Sequence, residues 1–480
     1  FDRRKGIFNG HSADALGPER CAKWKDPRGG FVHAMHEHMW GDLHYSITGK
    51  QADGKVLYGG EWQDHPQLGM HESYRFVENI FEELDAPGEW FLDQKTQVLY
   101  FYPPVGLNLD HATIESVRLR QLIEFQGTEA EPVRFITLKG LTFRHTARTF
   151  GDNVLPMVRS DRLSYRAGAV FFNGTEDCGL EACFLDQMGG NAVFVNHYNR
   201  HVTLRACHIA GAGANGVVFA GDPNAARIPE FEFPEPQAYA DMDKTAGPKG
   251  TNYPANCLVE DCLINQTGRV EKQTAPIQIG LAQGITVRHC SIYDVPCMGI
   301  SILNGFWGGH VIEYCDVFDT AKESGDGDHG AFNSWGRDRF STLRELDLND
   351  DEVWKAHKVV PLLDATTTSV LRNNRWRCHH GCDIALGEGS SNYLLCFNLC
   401  LSGGIQSCAG FYRIIENNIM VNNGFHPGTW YKHSQDSVRR NIMISDRYHA
   451  TGDMPATAWG GRMDYNLVHQ RGVTAPRPAR

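Results

Sequence analysis

The chain has 480 residues, of which 41% are hydrophobic, and its formal net charge is −11 at pH 7. This length and composition suffice for a large buried core in one elongated domain. The acidic balance argues against a nucleic-acid partner, because nucleic acids favour basic faces, and no apolar run is long enough to predict a membrane span.

The first part of the chain, residues 1–125, predicts an N-terminal β-rich region packed on the repeats that follow. Within it, Trp90 to Leu92 and Val98 to Tyr102 flank the turn residues Asp93 to Lys95. Two apolar runs separated by turn residues are typical of an antiparallel hairpin. Pro103 and Pro104 then end the second strand.

Histidines cluster upstream of this hairpin, in the segment HAMHEHMWGDLHY. His36, His38 and Trp40 alternate, so that on a strand all three would project from one face. Three interpretations stay open for His36 and His38: they contact a sugar ligand, they bind a metal, or they are structural. We place them among the candidate substrate-binding residues.

From about residue 126 onward, a short apolar pattern repeats along the chain. The ten copies are LKGLTF at Leu141, LEACFL at Cys183, LRACHI at Cys207, VEDCLI at Cys262, VRHCSI at Cys290, IEYCDV at Cys315, LRNNRW at Asn374, LCFNLC at Asn398, IENNIM at Asn418 and VRRNIM at Asn441. Most are roughly 20 to 28 residues apart, which is a solenoid period. Residues 126–480 therefore predict an all-β parallel β-helix, in which each coil buries its apolar side by stacking on its neighbours.

The matched position of this repeat is Cys in five consecutive copies and Asn in the last four. Stacked coils place equivalent side chains about 4.8 Å apart. Small thiols suit a tight interior turn, and Asn amides can hydrogen-bond along a stack. We therefore expect the cysteines to be free interior thiols, because the usual spacings of zinc and redox motifs are absent.

Two gaps in the repeat are too wide for one coil, from Cys207 to Cys262 and from Cys315 to Asn374. They predict long excursions near 221–256 and 321–365, and long loops on a rigid scaffold commonly carry binding sites. The first excursion is Pro-rich and aromatic, which favours a cleft wall or a lid.

The second excursion contains the dense polar segment 323–340, ESGDGDHGAFNSWGRDRF. A tryptophan ring can cover the C–H face of a sugar, and the surrounding donors and acceptors can bind its hydroxyls. The alternative is a loop held by salt bridges, with Asp326 and Asp328 as possible Ca²⁺ ligands. The candidate substrate-binding residues in this segment are His329, Asn333, Trp335, Arg337 and Arg339.

The coil after this excursion carries the sequence CDIALGEG. Matching Ile384 and Leu386 to inward-facing residues of earlier coils makes Asp383 point outward, toward a groove. Glycosidic cleavage normally needs two carboxyl groups flanking the bond. We predict Asp338 and Asp383 as this pair, with Glu388 as a further catalytic candidate. A metal site at Cys378 to Cys382 is not expected, because alternate strand positions face opposite sides.

Two further segments contain candidate substrate-binding residues beside the same groove. Glu271 and Lys272 lie close in sequence to the first excursion, and His426 and Trp430 follow two coils after Asp383. A groove lysine also leaves a different reaction open, in which a cation neutralises a uronate carboxylate while a base removes the adjacent proton. Lys272, Arg337 and Arg339 are the candidates for that cation.

Several longer segments together resemble bacterial right-handed parallel β-helix proteins related to glycoside hydrolase family 141. They are ENIFEELDAPGEWFLDQKTQVLYFYPP, GPKGTNYPANC, GRVEKQTAP, DHGAFNSWGRDRF, DIALGEGSSNY and GFYRIIENNIMVNNGFHPGTWY. The resemblance runs from about Glu78 to Leu467. It implies α-L-fucosidase or xylanase activity on complex polysaccharides, and a secreted or periplasmic location.

The same resemblance implies that Asp338 and an acid of the DIALGEG segment are the catalytic carboxylates. The chain departs from the family at Ala385 and Gly387, where relatives carry carboxylates. The leading hypothesis is a glycoside hydrolase without a required cofactor, although Ca²⁺ stays open. The alternatives are a polysaccharide lyase and a non-catalytic carbohydrate-binding β-helix.

Overall fold

The computed structural model describes residues 7–8, 11–12, 15–63, 69–152, 155–156, 163–227, 238–303, 307–324, 329–336, 339, 346–445, 462–469 and 477–478. The chain folds as two compact units, one comprising Phe1–Arg118 with Thr149–Val154 and the other comprising Leu119–Arg148 with Leu155–Arg480. Within the described part of the chain, no helix is long and apolar enough to cross a membrane.

The N-terminal unit is built on an antiparallel sheet of four strands in the described residues. In spatial order the strands are Val56–Gln63, Asp42–Lys50, Phe31–His36 and Met70–Glu78. Trp24, Val32 and Leu43 form part of its buried core. The unit also contains the strands Ile7–Phe8 and His11–Ser12, the helix Pro18–Ala22, and the 3₁₀ turns Phe81–Glu83 and Leu109–His111.

The predicted hairpin of the N-terminal unit is confirmed, with antiparallel strands Trp90–Asp93 and Val98–Phe101. The predicted alternation of His36, His38 and Trp40 on one strand is wrong. The strand Phe31–His36 ends at His36, and His38 and Trp40 lie in the turn that follows. The chain reverses there because the Met39 amide donates to the His36 carbonyl at 2.8 Å and Met39 takes a positive φ.

The C-terminal unit is a solenoid of three long parallel sheets, as predicted. In the described residues, sheet 1 contains Ile123–Gln126, Val133–Arg134, Val170–Glu176, Val193–Arg200, Val217–Ala220, Pro254–Ala255, Ile277–Gly280, Ile300–Leu303, Gly330–Trp335, Cys382–Leu386, Ile405–Ser407 and Phe425–Pro427. Sheet 2 contains Thr137–Lys139, Gly179–Glu181, Thr203–Arg205, Leu258–Glu260, Thr286–Arg288, Val311–Glu313, Ser369–Arg372, Tyr393–Cys396, Arg413–Glu416, Ser437–Arg439 and Arg462–Asp464. Sheet 3 contains Thr142–Arg144, Phe184–Asp186, His208–Ala210, Leu263–Asn265, Ser291–Tyr293, Asp316–Phe318, Arg375–Arg377, Leu399–Cys400, Ile419–Val421, Ile442–Ile444, Leu467–His469 and the antiparallel strand Arg477–Pro478.

The core fills the interior of the solenoid, and the strand register explains why. Ile300 pairs with Ile277 on one side and with Phe332 on the other, and Phe332 pairs with Ile384. All four side chains are completely buried. Each coil thus adds an apolar residue to one continuous inward column, and the predicted inward phase of Ile384 is confirmed.

The corner between sheets 2 and 3 carries the Cys and Asn positions of the repeat. The residue before each one adopts the left-handed conformation, for example Tyr314 at φ 53° and Asn417 at φ 57°. The Asn side chains form a hydrogen-bonded stack, in which the Nδ2 of Asn398 donates to the Oδ1 of Asn418 at 3.0 Å. The stack runs through Asn374, Asn398, Asn418, Asn441 and Asn466. The expected free interior thiols are also confirmed at this corner.

The two predicted excursions leave the solenoid after Val217–Ala220 and Gly330–Trp335, both strands of sheet 1. The first contains the 3₁₀ turns Pro223–Ala225 and Tyr239–Asp241, and the second contains the helix Asp351–His357 and the 3₁₀ turn Val360–Leu362. A further strand pair joins Leu155–Pro156 to Leu163–Ser164. The second excursion starts later than predicted, because Phe332 packs inward and holds Gly330–Trp335 in the sheet.

Candidate functional site

The two excursions meet at one corner of the solenoid, at the ends of the sheet 1 strands. Met242 of the first excursion packs with Trp354 and Leu363 of the second and with Phe411 of a later coil. The indole of Trp354 stacks on the ring of Phe411 with their centroids 5.4 Å apart. Both excursions are therefore fastened on the same side of sheet 1.

Arg339 fastens the excursions together and is completely buried. Its Nη2 donates to the Oδ1 of Asp364 at 2.7 Å, and its Nη1 donates to the carbonyl of Thr245 at 2.9 Å. Further bonds run to the carbonyls of Asp243 and Leu363. The expectation that Arg339 contacts substrate is therefore corrected, because its buried guanidinium hydrogen-bonds to both excursions instead.

The outer face of sheet 1, beside these excursions, carries a row of uncharged polar side chains. Ser301 pairs in register with Gln278 on one neighbouring coil and with Asn333 on the other. Their strand neighbours face the core, so alternation turns these three side chains outward. We call Gln278, Ser301 and Asn333 the polar row.

Although the polar row lies on the outside of the solenoid, its side chains are only 0–2% exposed. Three of its atoms have no hydrogen-bond partner among the described residues: Gln278 Oε1, Ser301 Oγ and Asn333 Nδ2. An unpaired buried polar group costs about 1–3 kcal/mol. Buried polar groups normally have partners, so the polar row is unusual among the outward-facing residues of sheet 1.

An aromatic ring borders the polar row. Trp335 is half-buried and lies two residues beyond Asn333 on the same strand, so both side chains face outward. The His329 ring meets its indole edge-on, with centroids 6.4 Å apart. A Cβ at Gly387 on the next coil would lie 2.5 Å from Trp335 Cδ1, so only glycine admits the indole there.

An ion pair lies on the side of sheet 1 where the strands begin, opposite the excursions. Lys272 Nζ lies 3.2 Å from Glu323 Oε2, and both side chains are partly buried. They precede the strands Ile277–Gly280 and Gly330–Trp335. Glu271, beside Lys272, is half-buried. The predicted residues Glu271 and Lys272 thus lie at the edge of the sheet that bears the polar row.

Asp383 does not face an open groove, and that expectation is corrected. The side chain is completely buried, with Oδ1 accepting from the Cys378 amide at 2.7 Å and Oδ2 from the amides of Ser402 and Gly404 at 2.9 and 3.2 Å. Burial raises the pKa of Asp383 to about 6, against the opposing effect of these amides. Asp383 therefore holds the turn between sheets 3 and 1 together.

Glu388, in contrast, is exposed in the turn after Cys382–Leu386. Its carbonyl accepts the Gly336 amide at 3.0 Å, which joins the turns that follow two adjacent strands of sheet 1. Arg337 and Asp338 come directly after Gly336 in sequence, but both lie outside the described residues, as do Asp326 and Asp328. Of the carboxylates predicted from sequence, Glu388 is thus the described one that is open to solvent.

The last predicted pair separates into one surface residue and one core residue. His426 continues the outward column of sheet 1 through its pairing with Gln406, and its Nε2 donates to Asn423 Oδ1 at 2.6 Å. Trp430 is 1% exposed and packs against Phe425 inside the solenoid. The expectation that Trp430 contacts substrate is corrected, because its ring belongs to the core.

The remaining predicted residues lie in the N-terminal unit. His36 is completely buried, and its Nε2 accepts the Gly41 amide at 2.7 Å, which shapes the turn. His38 is exposed and stacks on Trp40 with centroids 5.1 Å apart. Among the described residues, no group of three or more His, Cys, Asp or Glu side chains could hold a metal ion.

Sequence reasoning missed Gln278 and Ser301. The signal was present, because each polar residue stands between two inward-facing isoleucines, Ile277 and Ile279 in one coil and Ile300 and Ile302 in the other. A polar residue at an outward position is ordinary on a solvated face. Their burial, which only the folded chain reveals, is what distinguishes them.

Comparison with known proteins supports the fold. No protein-family model matches the chain, and no curated protein sequence matches it. A solved structure titled "Glycoside hydrolase" is similar with a TM-score of 0.50 and 16% sequence identity, over 94% of this chain and 69% of that chain. The crystal structure of a GH136 lacto-N-biosidase from Eubacterium ramulus gives a TM-score of 0.36 and 9% identity, over 74% of this chain and 61% of that one.

Proposed function

We propose that this protein is a glycoside hydrolase that acts on an oligosaccharide or polysaccharide bound at the outer face of sheet 1. The observation that carries the proposal is the half-buried ring of Trp335, which lies against Gly387, the residue before the exposed carboxylate of Glu388. A sugar offers an apolar C–H face for the ring and hydroxyl groups that both donate and accept hydrogen bonds. The structure titled "Glycoside hydrolase" adds support through its similar fold.

The proposed catalytic pair is Asp338 with Glu388. Asp338 rests on the sequence resemblance to family 141. Glu388 replaces Asp383 as the second carboxylate because it is exposed and its main chain bonds to Gly336, two positions before Asp338. One carboxyl group would protonate the leaving oxygen while the other acts as base or nucleophile.

Hydrolysis is favoured over elimination by the contacts of two candidate cations. Lys272 is paired with Glu323, and Arg339 is committed to Asp364. Neither ammonium nor guanidinium is therefore free to neutralise a uronate carboxylate, as elimination requires. Within hydrolysis, the family resemblance favours α-L-fucosidase or xylanase activity on a secreted or periplasmic protein, without a required cofactor.

The test is to incubate the purified protein with fucosylated oligosaccharides, xylan and polygalacturonate, and to follow released sugars and the ultraviolet absorbance of unsaturated uronides. We expect free sugar without unsaturation. Asp338→Asn and Glu388→Gln should each lower kcat by about 10²- to 10⁴-fold, as loss of a general acid or base does. Unsaturated products would establish a lyase instead, and an unchanged kcat in Asp338→Asn would refute the mechanism.

Asp383→Asn is the matched control for these variants. It removes a carboxylate of the same strand and turn region that we assign to folding. We expect it to lower stability while the folded fraction keeps its kcat. If folded Asp383→Asn protein has lost activity, Asp383 and not Glu388 would be the second catalytic carboxylate.

A further inference from the structure

We propose that three buried hydroxyl groups, those of Ser334, Ser390 and Tyr393, hold Glu388 in position against the strand Gly330–Trp335. This inference rests on the proposed function, in which Glu388 is a catalytic carboxylate. It adds the residues through which the solenoid core fixes the place of that carboxylate. Because all three are buried, they are positioning residues and not catalytic ones.

The three hydroxyls form one connected group, which we call the hydroxyl triad. Ser334 Oγ lies 2.6 Å from the phenol oxygen of Tyr393 and 3.0 Å from Ser390 Oγ, which also donates to the Ser334 carbonyl at 2.9 Å. If Tyr393 donates to Ser334 and Ser334 donates to Ser390, each of the three hydroxyl protons has an acceptor. The triad is therefore a fully satisfied polar network.

The hydroxyl triad lies in an otherwise apolar part of the core. Ser334 pairs in register with Ile302 and Leu386, which are completely buried, so it faces the interior. Tyr393 belongs to the main core cluster. A satisfied polar network adds little stability over apolar groups of the same shape, but it fixes one arrangement of the segments that it joins. The triad is thus better suited to orienting those segments than to stabilising the fold.

The turn that carries Glu388, residues 387–390, is fastened to the preceding coil at both ends and in the middle. The Ser334 carbonyl accepts the Gly387 amide at 2.8 Å and the Ser390 hydroxyl at 2.9 Å. Between these bonds, the Glu388 carbonyl accepts the Gly336 amide at 3.0 Å. The Ser390 hydroxyl therefore secures the C-terminal end of the turn onto the same carbonyl that holds its N-terminal end.

The strand that receives these bonds also carries the other parts of the proposed site. Trp335 is its last residue, and Asp338 follows three positions later in sequence. A Cβ on Gly389 would overlap the Gly336 carbonyl, so the turn and the strand end approach as closely as glycine permits. A misplacement of about 1 Å can cost about 10²-fold in rate. By fixing the turn to the strand, the hydroxyl triad fixes Glu388 relative to the ring of Trp335.

Ser390→Ala is the informative variant, and the chain offers a matched control in the next residue, Ser391. Both serines are buried, and each hydroxyl takes part in two hydrogen bonds. Ser391 Oγ donates to the Gly389 carbonyl at 3.2 Å and accepts the Phe411 amide at 3.1 Å, so it joins the turn to the following coil instead. The two alanine variants should therefore lower the urea midpoint by similar amounts.

The experiment measures kcat and KM on fucosylated oligosaccharides and xylan, using the substrate that the parent hydrolyses. Ser390→Ala should lower kcat about tenfold and change KM less than about twofold, because it shifts a reacting group without touching the substrate. Tyr393→Phe, which keeps its ring in the core, should lower kcat by a smaller factor. Ser391→Ala should leave kcat unchanged.

Two further measurements separate positioning from a general structural role. In Glu388→Gln protein, adding Ser390→Ala should have no further effect on kcat, because a positioning residue acts only through the group that it positions. Amide hydrogen exchange at Gly336, followed by mass spectrometry of the peptide 331–338, should be faster in Ser390→Ala than in Ser391→Ala.

Three results would overturn the proposal: equal kcat in Ser390→Ala and Ser391→Ala, a loss from Ser390→Ala that persists in full in Glu388→Gln protein, or equal exchange at Gly336 in the two serine variants. Each of these can occur while the parent hydrolyses its substrate, and the proposed function then stands without the positioning role. If the parent hydrolyses neither substrate, the proposed function itself fails, and the positioning of a catalytic Glu388 fails with it.

Discussion

Replacing Asn418 by Ala should destabilise the solenoid strongly, because this buried amide joins three coils. Its Nδ2 donates to Asn441 Oδ1 at 3.0 Å and to the Leu395 carbonyl at 2.9 Å. Its Oδ1 accepts from both the backbone amide and the Nδ2 of Asn398, each at 3.0 Å. Alanine leaves the buried donors of Asn398 without the Asn418 Oδ1 acceptor, which costs about 1–3 kcal/mol. It also removes the two bonds donated by Asn418 Nδ2, to Asn441 and to Leu395, which are worth about 1 kcal/mol each. We expect a loss of about 3–5 kcal/mol.

Equilibrium urea unfolding followed by the β-sheet circular dichroism signal measures this loss, with the slope against urea checked for constancy. Thr368→Ala is the control, because its exposed hydroxyl also bonds between coils, to Asn392 Oδ1 at 2.8 Å, and should cost little. Asn418→Cys should fall between the two. Earlier coils use Cys at this corner, where Cys262 Sγ lies 3.7 Å from the Leu204 carbonyl. A loss in Asn418→Ala no larger than in Thr368→Ala would refute a stabilising role for the stack.

Two further predictions concern the site and its neighbouring turn. Gly387→Ala should displace the Trp335 indole, because the new Cβ would lie 2.5 Å from Cδ1, and so weaken oligosaccharide binding with little change in the urea midpoint. Gly59→Ala, which meets open space, is its control, and unchanged affinity in Gly387→Ala would contradict the platform role. For Asp383, the native pKa of about 6 exceeds the unfolded value of about 3.9, so its stabilising contribution is complete below about pH 4 and is lost as pH rises through 6. Between pH 5 and pH 7.5, the free energy of unfolding of the parent should therefore fall by about 1 kcal/mol more than that of Asp383→Asn. Parallel pH profiles of the two proteins would refute this coupling.

The sequence could predict the solenoid because the same short residue pattern recurs in each coil. Each coil alternates inward apolar residues, as in Ile300 and Ile302, and turns a corner at a Cys or Asn position. That alternation correctly phased Ile384 against earlier coils, and the Asn stack followed from the same spacing. The hairpin beginning at Trp90 was equally local, since two short apolar runs and a turn specify it.

Predicted roles for single polar side chains were less successful, since partners come from distant segments. Arg339 looked like a ligand-binding arginine until the first excursion supplied carbonyl acceptors from Asp243 and Thr245. Asp383 faced outward by alternation, yet amides of the next coil enclose its carboxylate. Alternation determines the direction of a side chain but not what covers it.

By itself, the sequence determined the period of the coils, the inward columns and the corner stacks, because apolar burial and corner geometry repeat within each 20- to 28-residue unit. Only the tertiary structure decided which outward polar residues are buried. Gln278, Ser301 and Asn333 stand 23 and 32 positions apart in the chain, and stacking makes them neighbours. Their burial and their lack of partners depend on everything packed around sheet 1, and no single coil of the sequence contains those nonlocal contacts.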